Sequence, residues 1–378
     1  MKLRLYNMLK FALLLLLAAP TTLSAQTQVY VLARANASSP VAVVRTGTAY
    51  VQVLQEAENT TAQEQTEPGQ NQPAAEAEPG CSSAFASEVT KTIERNYKVG
   101  NSDRLNIENK FGKVHVNTWK KNEIHVKVDI ICRAGTDQRA QQLMDLIRVT
   151  ENRSGKVISF RTELEPIRIN NNSEKGFEIN YTVSMPDDNP LTVKNSFGDV
   201  YLANFRGVAA INVRYGSLKA EQLNNTSNTV KVAYGSANCR YINQGNIDLS
   251  YGSLNVEGTN GLQGSSKFSD IKIGSLNSSL DLDMKYGALR IDNISRNASK
   301  INVAGGFSPI SLRFEDKTTF KFDVNVQFGN FKYDKELVTL TSHEKSHTST
   351  AYKGSFGSAA PKGSVSIVSK YGDVKFSR

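Results

Sequence analysis

The stretch Asn246-Ile247-Asp248-Leu249-Ser250-Tyr251-Gly252-Ser253-Leu254-Asn255-Val256 decides the fold. Its apolar residues Ile247, Leu249 and Tyr251 are spaced by two, which is one face of a strand. The step of three from Tyr251 to Leu254 across the glycine means that the inward face is re-established after a bend, with Val256 following. The segment therefore reads as strand, corner, strand. Glycine suits the corner because it tolerates dihedrals that a Cβ forbids and allows close backbone approach.

The same order returns through the middle of the chain. An aromatic followed by a small residue occurs at Phe197-Gly198, Tyr215-Gly216, Tyr234-Gly235, Tyr251-Gly252, Phe268-Ser269 and Tyr286-Gly287, at intervals of 18, 19, 17, 17 and 18. Around Tyr215 the apolar set is Ile211, Val213, Leu218 and Ala220; around Tyr286 it is Leu282, Met284, Leu289 and Ile291. A unit this short cannot bury its apolar face alone, but can do so against identical neighbours. The spacing predicts an all-β, single-chain parallel β-solenoid, β-helix-like, of roughly ten coils. At about 4.8 Å per stacked strand it would extend on the order of 45 Å. Segments such as Asn224-Asn225-Thr226-Ser227-Asn228 read as turns.

The repeat aromatic shares parity with the Ile, Val and Leu residues before it, which predicts an internal aromatic stack. A carbohydrate-stacking ladder on the surface is the alternative. Asn212, Arg214, Asp248 and Ser250, between the apolar positions, are expected to face solvent. The pattern continues less regularly at Phe307, Phe328 and Phe356, returns at Tyr371-Gly372-Asp373-Val374, and appears upstream at Phe111-Gly112. One structure is thus expected over 88–378, with an irregular first part over 88–190 and regular repeats over 191–378. Residues 136–148 interrupt it with one packed helix, capped by Thr136 or Asp137, whose apolar face is Ala140, Leu143, Met144 and Ile147. An antiparallel membrane barrel fits less well, because the strands carry no lipid-facing band.

Lys2, Arg4 and Lys10 precede an apolar run from Phe11 to Ala19, and Leu23-Ser24-Ala25 follows. This is the pattern of a signal peptide over 1–25, too short to span a bilayer, and it predicts export to the periplasm, cell surface or exterior with no transmembrane span in the mature chain. Residues 26–54 hold apolar patches at Val29–Leu32, Val41–Val44 and Tyr50–Leu54, readable as an accessory hairpin or as a processed segment. Residues 55–87 read as an acidic flexible linker: 55–79 hold six Glu, no Lys or Arg, and three prolines.

The formal charge of +9 becomes +6 once the three basic residues of the signal peptide are gone, and +12 for the rest when the six linker glutamates are set apart. That balance permits contact with acidic glycans or anionic membranes, and equally describes a soluble surface with surplus lysine. No nucleic-acid motif accompanies it, and nucleic acid is not expected as a partner. Of the three cysteines, Cys239 stands where Val256 and Ile291 stand in neighbouring coils and reads as a small buried hydrophobe. Cys81 and Cys132 could pair in an oxidising compartment, or Cys81 could be free.

Asn109-Lys110-Phe111-Gly112-Lys113-Val114 with Trp119 and Asn122, then Tyr181-Thr182-Val183-Ser184-Met185-Pro186, then Asn195-Ser196-Phe197-Gly198-Asp199-Val200, resemble the secreted bacterial "putative adhesin" family of β-solenoid domains of unknown function. The resemblance covers about 88–378. It implies export, a solenoid fold and an adhesin-like role, and carries no catalytic residues over.

One string has a catalytic form: His343-Glu344-Lys345-Ser346-His347 matches the H-E-x-x-H of zinc peptidases, in which a helix puts both His residues on one face. Its flanks, Leu337–Ser342 and Thr348–Ala351, are β-prone, and extended geometry holds the two imidazoles too far apart for one tetrahedral ion. His115 and His125 alternate with apolar residues and should face solvent. Asp270, Asp281, Asp283 and Asp292 could supply a carboxylate pair or a calcium site for a polysaccharide-acting enzyme, but they do not recur at one coil position and read as solubilising. No catalytic, metal or cofactor residues and no cofactor are therefore assigned. The expected role is a non-enzymatic adhesin-like envelope or surface protein presenting a β face to a glycan, envelope or protein partner. The alternatives are a polysaccharide-acting β-helix enzyme or a zinc hydrolase using His343 and His347.

Overall fold

The computed structural model describes the backbone at 31–32 and 42–44 and the whole of 86–166 and 176–378. The expected signal peptide over 1–25, nearly all of the expected linker over 55–87, and Cys81 lie outside the described residues. Between them, Val31–Leu32 and Ala42–Val44 pair antiparallel, and Ala42 pairs with Phe177.

The architecture is all-β and solenoid-like, with one helix. Leu191–Ser196 pairs parallel with Ala209–Arg214 in the following coil, and Val200–Leu202 pairs parallel with Leu218–Leu223. The register advances by one repeat at each step, so like residues stack on like: Leu218 on Ala237, Ala220 on Cys239, and later Ile271 on Leu289 on Ile310. The inward rows are those the period of two dictates. Ile211, Val213, Leu218, Ala220, Ile247, Leu249, Leu254, Val256, Leu282, Met284, Leu289 and Ile291 are all buried in one continuous core. Cys239 is buried in this row, and burial pushes its thiol up to about 12.

The coils do not all stack in chain order. Arg104–Lys110 lies between Val157–Leu164 and Leu191–Ser196, both parallel to it. At the other end Gly363–Lys370 inserts between Lys300–Gly306 and Phe320–Gln327, again parallel to both. Each end is then closed by antiparallel strands. Glu123–Ala134 pairs with both Ser87–Lys98 and Gly176–Pro186, and Ser349–Phe356 pairs with both Phe320–Gln327 and Val338–Lys345. The expectation of a wholly parallel solenoid is corrected at these ends. A parallel strand needs a return path around the coil, whereas the last strand of a stack can be covered by a hairpin.

The helix spans Asp137–Asp145. Thr136 caps it by accepting the Arg139 N–H at 3.3 Å, and Ala140, Leu143 and Met144 face the strands Ser87–Lys98 and Glu123–Ala134. It stops short of the expected 148 because Ile147 starts the strand Ile147–Ser154.

The largest departure from expectation concerns the repeat aromatics, which are not inside. Tyr215, Tyr234, Tyr251, Phe268, Tyr286, Phe307, Phe328 and Tyr371 are 42–51% exposed. Each has a positive φ, between 52° and 58°, as do Phe111 and Phe197 at 59° and 61°. A left-handed residue reverses the alternation, so the parity argument fails at that residue alone and holds again after it. Phe356 does not belong to the series: it is fully buried and stacks on Phe320.

Candidate functional site

The corner is built from four pieces. The aromatic bends the chain at a dihedral that costs a non-glycine residue about 1 kcal/mol or more. The stack offsets this: ten rings, Phe111, Phe197, Tyr215, Tyr234, Tyr251, Phe268, Tyr286, Phe307, Tyr371 and Phe328, lie face to face at 4.6–5.0 Å with planes within 9° of parallel. Each such contact contributes roughly 0.5–1.5 kcal/mol. Their order follows space, with Tyr371 between Phe307 and Phe328. The glycine is required by approach rather than by its own dihedral, since a Cβ on Gly216 or Gly252 would lie 2.1 or 1.8 Å from the carbonyl oxygen of the preceding coil.

Polar groups complete the corner, the asparagines buried and the aspartates nearer the surface. Asn109 and Asn195 donate to the carbonyls of Ile179 and Gly112, both at 2.9 Å. Asp199, Asp270 and Asp373, two residues after the aromatic, accept the backbone N–H of Ser217, Ala288 and Asn330 in the next coil at 2.9, 2.7 and 2.9 Å. The segment after the second strand of the coil carries a second ladder, in which Asn243 donates to the Asn224 carbonyl at 2.9 Å, Asn260 to the Asn243 side chain at 2.7 Å, and Asn277 to that of Asn260 at 3.3 Å. The turn composition marked these asparagines as loop residues; their spacing of 19, 17 and 17, the same as that of the aromatics, was the signal for a ladder.

Two surfaces remain for function. One is a polar trough on the face of the strands that precede the aromatics. It joins cavities of about 450 and 490 Å³ that share Asn246, Gln263, Asp281 and Asn302. Asp281 faces Asn302 in register, and Asp283 faces Ala304. The depression arises where side chains are small: Gly261, Gly264 and Ala304. Gly264 has φ +136°, and a Cβ there would strike the Ile247 carbonyl oxygen at 1.9 Å. Lys300, Leu280, Leu282 and Val368 also line it, and beside them the amides and carboxylates offer paired donors and acceptors, the inventory that hydroxyl-rich ligands use. The second surface is the aromatic edge itself. Because each ring covers its neighbours' faces, it presents ring edges, so the flat stacking of a sugar on an exposed face is not available along the ladder.

The acidic residues considered from sequence separate accordingly. Asp281 and Asp283 line the trough. Asp270 is a corner cap, and Asp292 accepts from Arg290 at 2.6 Å, which holds its carboxyl below the usual range. His343 lies in the strand Val338–Lys345 and stacks on Tyr352 at 4.7 Å, while His347 lies beyond the strand end. His115 is exposed and stacks on Tyr201 at 4.4 Å, and His125 bonds Glu94 at 2.7 Å. Cys132 is buried, and its thiol is pushed up to about 12. Among the described residues no group of three or more His, Cys, Asp or Glu is disposed to hold a metal, and no helix is long and apolar enough to cross a membrane.

The stacked coils and their aromatic corners agree with a comparison over most of the chain: residues 102–377 match Toastrack DUF4097. The chain belongs to the Toastrack DUF4097 family. Solved structures similar to this Toastrack chain include a "putative cell adhesion protein" from Clostridium sporogenes, 12% identical over 76% of this chain and 99% of that one, TM-score 0.21. Others are a "putative adhesin" from Bacteroides fragilis, 14% identical over 76% and 97%, TM-score 0.29, and a "putative lipid binding protein" from Parabacteroides distasonis, 11% identical over 76% and 97%, TM-score 0.38. No curated protein matches the chain.

Proposed function

We propose that this Toastrack chain is an exported, non-enzymatic, adhesin-like protein of the envelope or cell surface, and that its trough holds a glycan. The observation that carries this reading is the trough lined by Asn246, Gln263, Asp281, Asp283 and Asn302, where polar groups from consecutive coils are set at the inter-strand spacing. A polymer lying along the stack meets a similar polar row at each coil, so modest contacts add. Export is supported by Lys2, Arg4 and Lys10 ahead of the apolar run Phe11–Ala19.

A glycan array followed by calorimetry tests the reading. Binding of one glycan class, weakened at least about tenfold by Gln263→Ala or Asp281→Ala without a change in melting, is the expected result. Reproducible cleavage of the bound polysaccharide would move the chain to the enzyme class. Absence of any glycan binding, or binding indifferent to both substitutions, would remove the trough from the account.

A further inference from the structure

The aromatic edge carries an inference separate from the trough. Eight half-exposed rings, from Tyr215 to Phe328, follow one another for seven steps, about 34 Å in all at the inter-strand spacing. Successive ring planes turn by only 1–9°, so each ring edge continues that of its neighbour. An exposed apolar stripe of this length is unusual on a soluble surface and marks an interaction site.

Charge identifies what it meets. The ten residues immediately before the rings include five cations, Lys110, Arg214, Lys267, Lys285 and Lys370, and no Asp or Glu. All five are exposed. Register brings them into one line: Lys110 and Arg214 flank Ser196, and Lys285 and Lys370 flank Gly306. None of the five has a carboxylate partner among the described residues, whereas Arg206, Arg240, Arg290 and Arg296 elsewhere on the stack are each paired. The acids on the other flank, Asp199, Asp270 and Asp373, are engaged with backbone N–H groups.

We infer that this edge docks on an anionic lipid surface, with ring edges at the headgroup level and the five cations against lipid phosphates. The Tyr rings have the amphipathic character that suits the interface, the Phe rings add apolar surface beside them, and each surface-adjacent Lys or Arg adds to attraction by an anionic leaflet. An anionic polysaccharide fits less well, because the cations alone would contact it and the apolar ridge would stay uncovered. A bilayer covers both along the edge.

The test is co-sedimentation of the mature chain with phosphatidylcholine vesicles, with and without phosphatidylglycerol. The same vesicles are then used to follow indole emission from the Tyr251→Trp variant, after subtraction of the Trp119 background. The wild type is expected to bind only the anionic vesicles, less as salt rises, and the emission of the Tyr251→Trp variant to shift to the blue. The combined variant Arg214→Gln, Lys267→Gln, Lys285→Gln, Lys370→Gln should lose about three orders of magnitude in binding while melting as the wild type does. Lys219→Gln with Lys272→Gln, on another face, and the trough variants Gln263→Ala and Asp281→Ala should keep it. Undiminished binding by the four-site variant, equal binding to neutral vesicles, or no binding at low salt overturns the inference. So does binding with an unmoved Tyr251→Trp spectrum that soluble dextran sulfate abolishes, an outcome that assigns the charges to a polyanion.

Discussion

Replacing Gly216 by Val probes the corner directly. An ideal Cβ on Gly216 would stand 2.1 Å from the Gly198 carbonyl oxygen and 2.6 Å from its carbon, against an ordinary contact of about 3.4 Å. Neither atom can rotate away, because both belong to backbone, so the two coils must separate by roughly 1 Å at this corner. Two inter-coil bonds beside it, Phe197 N–H to the Arg214 carbonyl and Val200 N–H to the Ser217 carbonyl, are each 2.8 Å and would be stretched out of range. Losing two such bonds costs about 1 kcal/mol each or more, and loosening the Phe197–Tyr215 stack about another 1 kcal/mol. A total near 3–4 kcal/mol is expected, which for a domain of this size lowers the melting midpoint by about 6–12 °C. Gly216→Ala carries the same first atom and should cost most of this, while Gly100→Ala, whose Cβ would meet nothing within 4 Å, should stay within about 0.5 kcal/mol of wild type. Circular-dichroism melts of the three variants decide the matter. Equal midpoints for Gly216→Ala and Gly100→Ala would refute the account of close coil approach.

Three further outcomes follow from the same geometry. Tyr251→Ala removes two stacked contacts, with Tyr234 and Phe268, and should cost about 1–3 kcal/mol in a urea melt, whereas Tyr251→Phe should be nearly neutral. Acid should weaken the fold: hydrogen bonds from Lys332 to Asp373, from Arg206 to Asp187 and from Arg296 to Glu315 hold these carboxyls below their ordinary range. Their contribution is therefore fully present above the unfolded carboxylate value near 4 and is lost as pH falls through the lower folded values, and Asp373→Asn should flatten melting midpoint against pH on that acid side. Purified protein should hold less than one zinc per chain by elemental analysis, and Glu344→Gln should not alter its melting; a stoichiometric zinc lost on changing His343 would return the hydrolase reading.

The strand, corner, strand order was legible because burial imposes a period of two wherever one face is covered, and Ile247, Leu249, Leu254 and Val256 obey it without exception. The side of the aromatic was not. Parity assumes extended dihedrals at every position, and Tyr251 at φ 55° breaks that assumption at the one residue for which it was used. The step of three to Leu254 requires one residue to turn away from the alternation, and that residue is Tyr251 rather than the glycine after it. Stack order at the ends was also beyond reach, since Tyr371-Gly372-Asp373-Val374 has the same local pattern wherever it inserts. The trough was illegible for a related reason. Asn246, Gln263 and Asp281 are separated by 17 and 18 residues, and only the folded chain brings them to line one cavity with Gly264.

The two surfaces differ in what constrains them, and that difference bears on function. Ladder positions need an aromatic that can stack on both sides, and the residue after each needs to be small. Ser269 and Ser308 meet that demand by returning their hydroxyls to the carbonyls of Lys267 and Gly306, with glycine kept in the coils on either side. Trough positions carry no such demand: Asn246, Gln263, Asp281 and Asn302 are outward residues whose replacement leaves the core rows untouched. The corner cations Arg214, Lys267, Lys285 and Lys370 are equally dispensable to packing. A substitution there that alters binding and leaves melting unchanged therefore reports on recognition, whereas a substitution in the ladder confounds the two. That is why charge removal beside the rings, and not truncation of the rings, separates a lipid-docking edge from a purely structural one.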